Sequence, residues 1–162
     1  MLTKAQRVIV LFLDKQRYAL PLSAVERVVR MVEITPLPNA PDIVLGIIIV
    51  HGRIVPVFDI RARFGRPRRE ISLDDQLVIA RTSRRTVALV VDAVGDVLDG
   101  TLSDMIPADE IFPGIKYVAG VMQLADGLML IHDLDTFLSP EEEETLHEAI
   151  QETSGTRDEP ET

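Results

Sequence analysis

Two aliphatic runs flank a histidine-glycine pair in residues 45–60, which read Leu45-Gly46-Ile47-Ile48-Ile49-Val50-His51-Gly52-Arg53-Ile54-Val55-Pro56-Val57-Phe58-Asp59-Ile60. Branched side chains such as Val and Ile favour extended backbone, because they pack well on a pleated surface. We therefore predict two short strands here, Leu45–Val50 and Arg53–Ile60. Asp59 is a preferred helix-capping residue, so it is also predicted to open one helical turn.

Eight further segments repeat this pattern of aliphatic runs bounded by Gly, Pro, Asn or Asp. They are Arg7–Leu13, Arg17–Leu22, Arg27–Glu33, Leu77–Ala80, Thr86–Val91, Val94–Leu98, Val118–Leu124 and Leu128–His132. The chain contains 18 Val and 15 Ile in 162 residues, whereas aromatic residues make up only 4%. This composition predicts a mostly β protein with an aliphatic core.

The two halves of the chain resemble each other. Residues 19–28 align with residues 88–97 at an offset of 69, with five identities in ten positions. The alignment resumes at an offset of 74, which places Gly46 over Gly120 and Asp59 over Asp133. The repeat predicts two related five-stranded barrels that share one core, with chance agreement among Val-rich segments as the alternative.

The C-terminal part of the sequence predicts a helix over residues 140–152. Ser139 is a preferred N-cap, Pro140 suits the first helical position, and the carboxylates that follow face the positive end of the helix dipole. An apolar stripe that includes Leu146 and Ile150 would dock this helix on the body. Residues 153–162 have almost nothing to bury, so we predict a disordered acidic tail.

The net charge of −9 is concentrated in this C-terminal part. Residues 139–162 contain nine acidic side chains and one arginine, so the remaining body is almost neutral. A neutral body has no long-range field that would attract nucleic acid or an anionic membrane. We therefore expect neither as a partner.

The sequence offers little for catalysis or metal binding. It contains no cysteine, and its three histidines lack metal-ligand spacing, so we expect no metal and no cofactor. A catalytic carboxylate pair drawn from Asp59, Asp92 and Asp133 is the enzymatic alternative, which would require these residues to meet in one cleft. Helix-capping roles for such residues are the stronger interpretation.

A basic cluster contains five arginines within nine residues. Its members are Arg61, Arg63, Arg66, Arg68 and Arg69, to which Arg81, Arg84 and Arg85 could add. Phe64 is the one aromatic residue between the five arginines, which argues against nucleic-acid binding. The cluster is predicted to be a solvated face or a contact for an acidic protein partner.

Residues 46–60 resemble the segment G-x-x-N-L-R-G-x-x-x-P-V-x-D-L of CheW-like domains. The resemblance continues through Tyr18-Ala19-Leu20-Pro21 and Leu89-Val90-Val91-Asp92, and it covers roughly residues 7–139 in almost ungapped register. The ordered set of segments makes the resemblance specific.

Similarity to CheW-like domains implies two intertwined SH3-like five-stranded β-barrels with short helices and no catalysis. The CheW-like domain is expected over residues 7–139, with the first barrel at about 14–75 and the second at about 76–139. The first strand is a candidate for exchange between the barrels.

The resemblance also implies a non-enzymatic cytoplasmic adaptor in chemotaxis, a two-component signalling system. Such proteins couple methyl-accepting chemoreceptors to the histidine kinase CheA. They contact the CheW-like regulatory domain of the kinase through barrel ends and the receptor's helical tip through the groove between barrels, which would recruit the chain to the inner face of the membrane without insertion. The expected partner-binding residues are Val25, Arg27, Val28, Gly46, Ile49, Val50, His51, Gly52, Arg61 and Arg63.

Three of these positions depart from the family pattern. Ile49 replaces the Asn of the motif, His51 replaces its Arg, and Arg27 stands where relatives carry Glu. Replacing Arg by His exchanges a permanent cation for a group that titrates near neutral pH. The departures favour an alternative function, a CheW-fold scaffold for another two-component pathway such as surface motility or gene regulation.

Overall fold

The computed structural model describes residues 5–101, 105–107, 117–125 and 127–158. Within these residues the chain forms eleven strands and two α-helices. The strands are β1 (Ala5–Leu13), β2 (Gln16–Pro21), β3 (Val25–Arg30), β4 (Val44–Val50), β5 (Arg53–Phe58), β6 (Gln76–Arg81), β7 (Thr86–Val91), β8 (Ala93–Thr101), β9 (Met105–Pro107), β10 (Val118–Leu124) and β11 (Gly127–His132). The helices are α1 (Ile60–Arg63) and α2 (Pro140–Asp158), and 3-10 turns lie at Leu22–Ala24 and Leu134–Thr136.

The strands form two sheets that exchange strands between the halves of the sequence. One sheet has the order β8-β1-β2-β11-β10-β9, and the other has the order β3-β6-β7-β5-β4. The prediction of a mostly β fold with two intertwined SH3-like barrels is thereby confirmed. The short strand β9 pairs with β10 and extends one sheet to six strands, which the sequence analysis did not predict.

Sheet membership does not follow the predicted ranges 14–75 and 76–139. Strands β1 and β2 from the beginning of the chain lie in the sheet of β8, β10 and β11. Strands β6 and β7 from the second half lie in the sheet of β3, β4 and β5. Two strands are therefore exchanged in each direction, because strand pairing is set by distant segments and not by chain order.

The repeat is visible in the strand register. In the parallel contact of β5 with β7, Val57 pairs with Ala88, and in that of β11 with β2, Ile131 pairs with Ala19. These pairs are related by the offsets of 74 and 69 found in the sequence. Gly46 and Gly120 both follow a register shift at the start of their hairpins. The two halves therefore have the same local construction.

Each sheet packs one face on a cluster of its own. In the six-stranded sheet this cluster consists of Val8, Val10, Ala19, Met122, Met129 and Ile131. In the five-stranded sheet the residues at the corresponding positions are Leu77, Ile79, Ala88, Ile48, Val55 and Val57. The opposite faces meet in a shared core that includes Leu11, Leu20, Phe58, Leu89 and Phe137. Successive side chains of a strand point to opposite faces of its sheet. One set therefore packs in the shared core, and the other set packs in the cluster of that sheet.

Helix α2 begins where the sequence predicted. The Glu142 backbone N–H donates to the Ser139 hydroxyl at 3.1 Å, and the Ser139 N–H donates to the Glu142 carboxylate at 2.9 Å. This reciprocal capping box satisfies two backbone donors at the helix start. The helix continues to Asp158 instead of ending at residue 152, because each residue added to an existing helix forms a further backbone hydrogen bond. Residues 159–162 of the predicted tail lie outside the described residues.

Candidate partner-binding surface

Strand β3 forms one edge of the five-stranded sheet, and it carries three of the predicted partner-binding residues. Val25 and Val28 are partly buried against the shared core, while Arg27 is exposed after a register shift. An edge strand presents backbone donors and acceptors that a partner strand or loop can use. This edge therefore combines apolar side chains with free backbone groups.

The β4–β5 hairpin carries the second group of predicted residues, at the other end of the strand order. His51 and Gly52 connect the strands with φ values of 50° and 77°, both in the left-handed region that a type I′ turn requires. Both turn residues are exposed, and Ile49 just before them is 50% exposed. Val50 instead packs partly against the core of its own sheet.

Ile49 differs from its counterpart in the second half of the chain. The repeat places Gln123 at the corresponding position, 74 residues later, and Gln123 is exposed. Ile49 pairs across the hairpin with Ile54, and Gln123 pairs in the same way with Leu128. Only the first of these two equivalent hairpins therefore exposes an apolar side chain at this strand position.

Gly46 is buried and has a structural role in the close packing of two backbone segments. A Cβ atom added to Gly46 would lie 2.3 Å from the Thr35 carbonyl oxygen and 2.7 Å from Ile34 Cγ2. The Thr35 and Ile47 backbones form two hydrogen bonds of 2.9 and 2.7 Å beside it. The glycine is needed for this close approach of two backbone segments. Its predicted place among the partner-contacting residues is therefore not supported by its burial.

Arg61 was predicted as an exposed charge at a partner interface, but the structure buries it. Its side chain is 8% exposed, and it donates hydrogen bonds of 2.7 Å to both Asp14 and Asp92. These carboxylates offset the cost of burying the guanidinium group. The sequence shows the charge of Arg61, but it does not show that Asp14 and Asp92, which are distant in sequence, lie beside it.

The ion network around Arg61 joins the two sheets. Asp14 lies in the turn between β1 and β2, whereas Asp92 lies between β7 and β8, and the Asp14 N–H donates to Asp92 at 2.6 Å. The hydrogen bond from Arg61 lowers the pKa of Asp14 below its ordinary value. Burial raises the pKa of Asp92, but hydrogen bonds from Arg61 and its other partners outweigh this effect and lower it overall. Arg69 adds ion pairs to Asp92 and, at 2.8 Å, to Asp75.

Arg63 is also engaged inside the protein. It donates to Glu142 at 2.8 Å and to the Tyr117 hydroxyl at 3.1 Å, and its guanidinium carbon lies 5.1 Å from the centre of the Tyr117 ring. Burial lowers the pKa of Arg63, but its bonds to Glu142 and Tyr117 outweigh this effect and raise it overall. Arg63 therefore attaches α1 to the start of α2, and it does not lie on a solvated face as predicted.

A buried aromatic cluster surrounds His132, and it was not predicted from the sequence. His132 is 1% exposed, and its ring centre lies 4.9 Å from those of Tyr18 and Phe64 and 5.5 Å from that of Phe137. Burial lowers the pKa of His132 to about 3, and neither ring nitrogen has a hydrogen-bond partner within the described residues. The repeat contained the signal, because it aligns His132 with the buried Phe58.

The three carboxylates considered for catalysis have separate structural partners. Asp59 accepts a hydrogen bond from the Arg61 N–H at the start of α1, and Asp133 accepts one from the Asp135 N–H at the following 3-10 turn. Both capping predictions are confirmed. Asp92 belongs to the ion network. Among the described residues, no group of three or more His, Asp or Glu side chains is arranged to hold a metal ion.

These features define a class: a duplicated, strand-exchanged β protein that presents an edge strand and hairpins with exposed apolar side chains. Of the helices that the structure describes, none is long and apolar enough to cross a membrane. The profile of the CheW-like domain matches residues 7–142. The chain belongs to the CheW-like domain family, so the resemblance found in the sequence is confirmed.

Individual proteins agree with this assignment along most of the chain. The chemotaxis protein CheW of Rhizobium meliloti (strain 1021) is 30% identical over 146 residues, covering 88% of this chain and 94% of the relative. The chemotaxis protein CheW of Thermotoga maritima is 30% identical over 144 residues, covering 85% and 89%. The crystal structure of the scaffolding protein TtCheW from Thermoanaerobacter tengcongensis superimposes with a TM-score of 0.78 at 28% identity, covering 86% of this chain and 96% of that one.

Proposed function

We propose that this chain is a non-enzymatic adaptor that couples chemoreceptors to the histidine kinase CheA in a chemotaxis-type signalling assembly. Family membership over residues 7–142 supports a chemotaxis scaffold. Relatives named chemotaxis protein CheW and a solved scaffolding protein of the same fold support it further. The chain would act by geometry, holding the kinase where receptor conformations bias its active and inactive states.

The two sides of the five-stranded sheet would serve different contacts. Strand β3 would meet the CheW-like regulatory domain of the kinase through Val25, Arg27 and Val28, using its free edge. The hairpin with Ile49, Val50 and its His-Gly turn would contribute to the groove that receives the receptor's helical tip. The chain would thereby be held at the cytoplasmic face of the membrane by receptor binding alone.

The half-exposed Ile49 is the observation that carries the placement of this surface. An aliphatic side chain in water gains free energy when a partner covers it, by roughly 25 cal/mol for each Å² buried. Its equivalent in the second half is the polar Gln123, although both hairpins have the same register. Fold stability therefore does not require an apolar residue at this strand position, which supports a role of Ile49 in partner binding.

This placement is tested by introducing a charge at Ile49 and at its counterpart. We expect Ile49→Asp to weaken binding to purified receptor signalling fragments or to CheA by roughly tenfold or more, because the carboxylate would be desolvated in an apolar contact. Gln123→Asp is the matched control and should bind as the wild type does. Both should unfold near the wild-type temperature, since both sites are substantially exposed. Equal affinities for the two variants would contradict the placement.

A scaffold role in another two-component pathway is the second candidate. It is favoured by the exposure of Arg27, Ile49 and His51, the three positions that depart from the family motif. Departures at buried positions would affect packing, whereas these change the surface that a partner meets. Strong binding to a kinase of a different pathway, together with no binding to CheA, would select this candidate over the first.

A further inference from the structure

A second cluster of arginines surrounds a groove between the five-stranded sheet and α2. The groove has a volume of about 290 Å³. Its apolar lining includes Ile54 and Pro56 of β5 and Ile150 of α2. Arg53, Arg81 and Arg84 line it from the strand ends and the β6–β7 turn. The groove therefore combines an apolar floor with a basic rim.

The arginines of this rim differ from most of those in the earlier cluster, because none of them forms an ion pair within the described residues. Arg61, Arg63 and Arg69 each form ion pairs inside the protein. In contrast, the described part of the chain provides no ion pair to Arg53, Arg81 or Arg84, and all three are exposed. Arg85, the fourth arginine of the groove, pairs with Glu143 at 3.1 Å. Three guanidinium groups thus remain available to a ligand from outside.

The turn that presents two of these arginines is held in a defined conformation. The Thr82 N–H donates to the Arg85 carbonyl at 2.8 Å, and the Thr82 hydroxyl accepts from the Arg84 N–H at 3.1 Å. The Ser83 N–H donates to the Asp135 carboxylate at 2.7 Å, which fastens the turn to the second half of the chain. A turn fixed in this way loses less conformational entropy when a partner binds.

We propose that this groove binds an acidic segment of a partner protein, one that combines Asp or Glu side chains with an apolar residue. The apolar floor would bury the apolar residue, while the planar guanidinium groups of the rim would donate paired hydrogen bonds to its carboxylates. The lining contains no aromatic ring on which a nucleic-acid base could stack, which favours a protein ligand. The groove adjoins the surface around Ile49, because its Ile54 pairs with Ile49 across the β4–β5 hairpin. The proposal rests on the arginines of the rim and does not depend on the proposed function.

The proposal is tested with a fluorescein-labelled 14-residue helical peptide that has a row of Glu on one face and a row of Leu beside it. Its binding to the full chain is measured by fluorescence anisotropy at low and physiological salt. We expect Arg53→Gln/Arg84→Gln to weaken binding roughly tenfold, because two charge-assisted contacts are lost. Arg30→Gln/Arg68→Gln removes the same charge from exposed positions outside the groove and should change the affinity less than about twofold.

Several outcomes would overturn the proposal. One is the absence of measurable binding to the wild type. Another is an equal loss in both double variants, which would show unspecific attraction to exposed arginines in general. If a peptide with all Glu replaced by Gln bound equally well, the arginines of the rim would not recognise carboxylates. A salt-dependent dimer that disappears in Arg53→Gln/Arg84→Gln would show that a second copy of the chain occupies the groove. Binding of a fluorescent oligonucleotide in preference to the peptide would replace the protein ligand by nucleic acid.

Discussion

His132 has an unusual chemical environment for a histidine. Aromatic rings surround it, and it stands where the other half of the protein has Phe58, so the position suits an apolar ring. A buried polar group without hydrogen bonds costs roughly 1–3 kcal/mol. The imidazole therefore weakens a core that would be served equally well by a phenyl group.

We predict that His132→Phe raises the free energy of unfolding by about 1 kcal/mol at neutral pH. The effect should grow in acid. The unfolded chain takes up a proton near the ordinary pKa of 6.5, whereas the folded protein keeps the neutral ring down to about pH 3. As the pH falls between these values, His132 lowers the free energy of unfolding of the wild type by about 1.4 kcal/mol for each pH unit. The His132→Phe variant lacks this contribution.

Urea unfolding at a series of pH values measures this difference. The exposed His147 provides the control, since His147→Phe should leave the free energy of unfolding at neutral pH within about 0.5 kcal/mol of the wild type. The carboxylates of the ion network also make the protein less stable in acid, because their pKa values are lowered on folding. The destabilisation in acid that comes from these carboxylates should persist in His132→Phe. Identical pH dependences for the wild type and His132→Phe would show that the ring is solvated.

Between elements, Arg61 has the largest structural role among the arginines of the first cluster. It lies in α1 and reaches both the β1–β2 turn at Asp14 and the junction of β7 with β8 at Asp92. Removing this buried cation takes two short hydrogen bonds from partly buried carboxylates, which costs more than the loss of an exposed pair. The network thus connects the two sheets.

We predict that Arg61→Gln lowers the free energy of unfolding by about 2 kcal/mol or more. Arg68→Gln is the matched control, because Arg68 is exposed and donates only a 3.3 Å hydrogen bond to the Asp42 carbonyl; its effect should stay within about 0.5 kcal/mol. Chemical denaturation of the three proteins gives the comparison. Similar stabilities for Arg61→Gln and Arg68→Gln would contradict the structural role of Arg61.

The elements themselves were largely predictable, whereas their partners were not. Aliphatic runs and turn residues identified ten strands within a few residues of their bounds, and the capping residues Asp59 and Ser139 identified two helix starts. The three-residue strand β9 has too few side chains for a recognisable pattern. The exchange of β2 together with β1, and the burial of Arg61, depend on contacts between residues far apart in sequence. Local sequence patterns do not indicate such contacts. For the same reason, the free arginines at 53, 81 and 84 could not be separated from the paired ones.

At the scale of the whole molecule, the strand exchange makes the two sheets mutually dependent. Each sheet takes two strands from the other half of the chain, and both pack on one shared core. Neither half can then unfold while leaving the other sheet complete. This interdependence is what allows a small protein to present fixed surfaces on two sides.

We predict a single cooperative unfolding unit, despite the two sheets. In native-state hydrogen exchange, the most protected amides of β2 and β7 should report free energies within about 1 kcal/mol of each other, because both open only in global unfolding. Amides near the end of α2 should exchange through smaller local openings and provide an internal reference. A distinctly lower value for the amides of one sheet would mean that the barrels open independently.

The coupling role itself is tested most directly by sedimentation velocity on a three-component mixture of this chain, CheA and a receptor signalling fragment. We predict a complex that contains all three proteins, and we expect this complex to be lost when the chain is omitted or replaced by Ile49→Asp. Gln123→Asp should support the same complex as the wild type. A kinase–receptor complex that forms equally well without the chain, or a chain that sediments alone in the mixture, would contradict the coupling role.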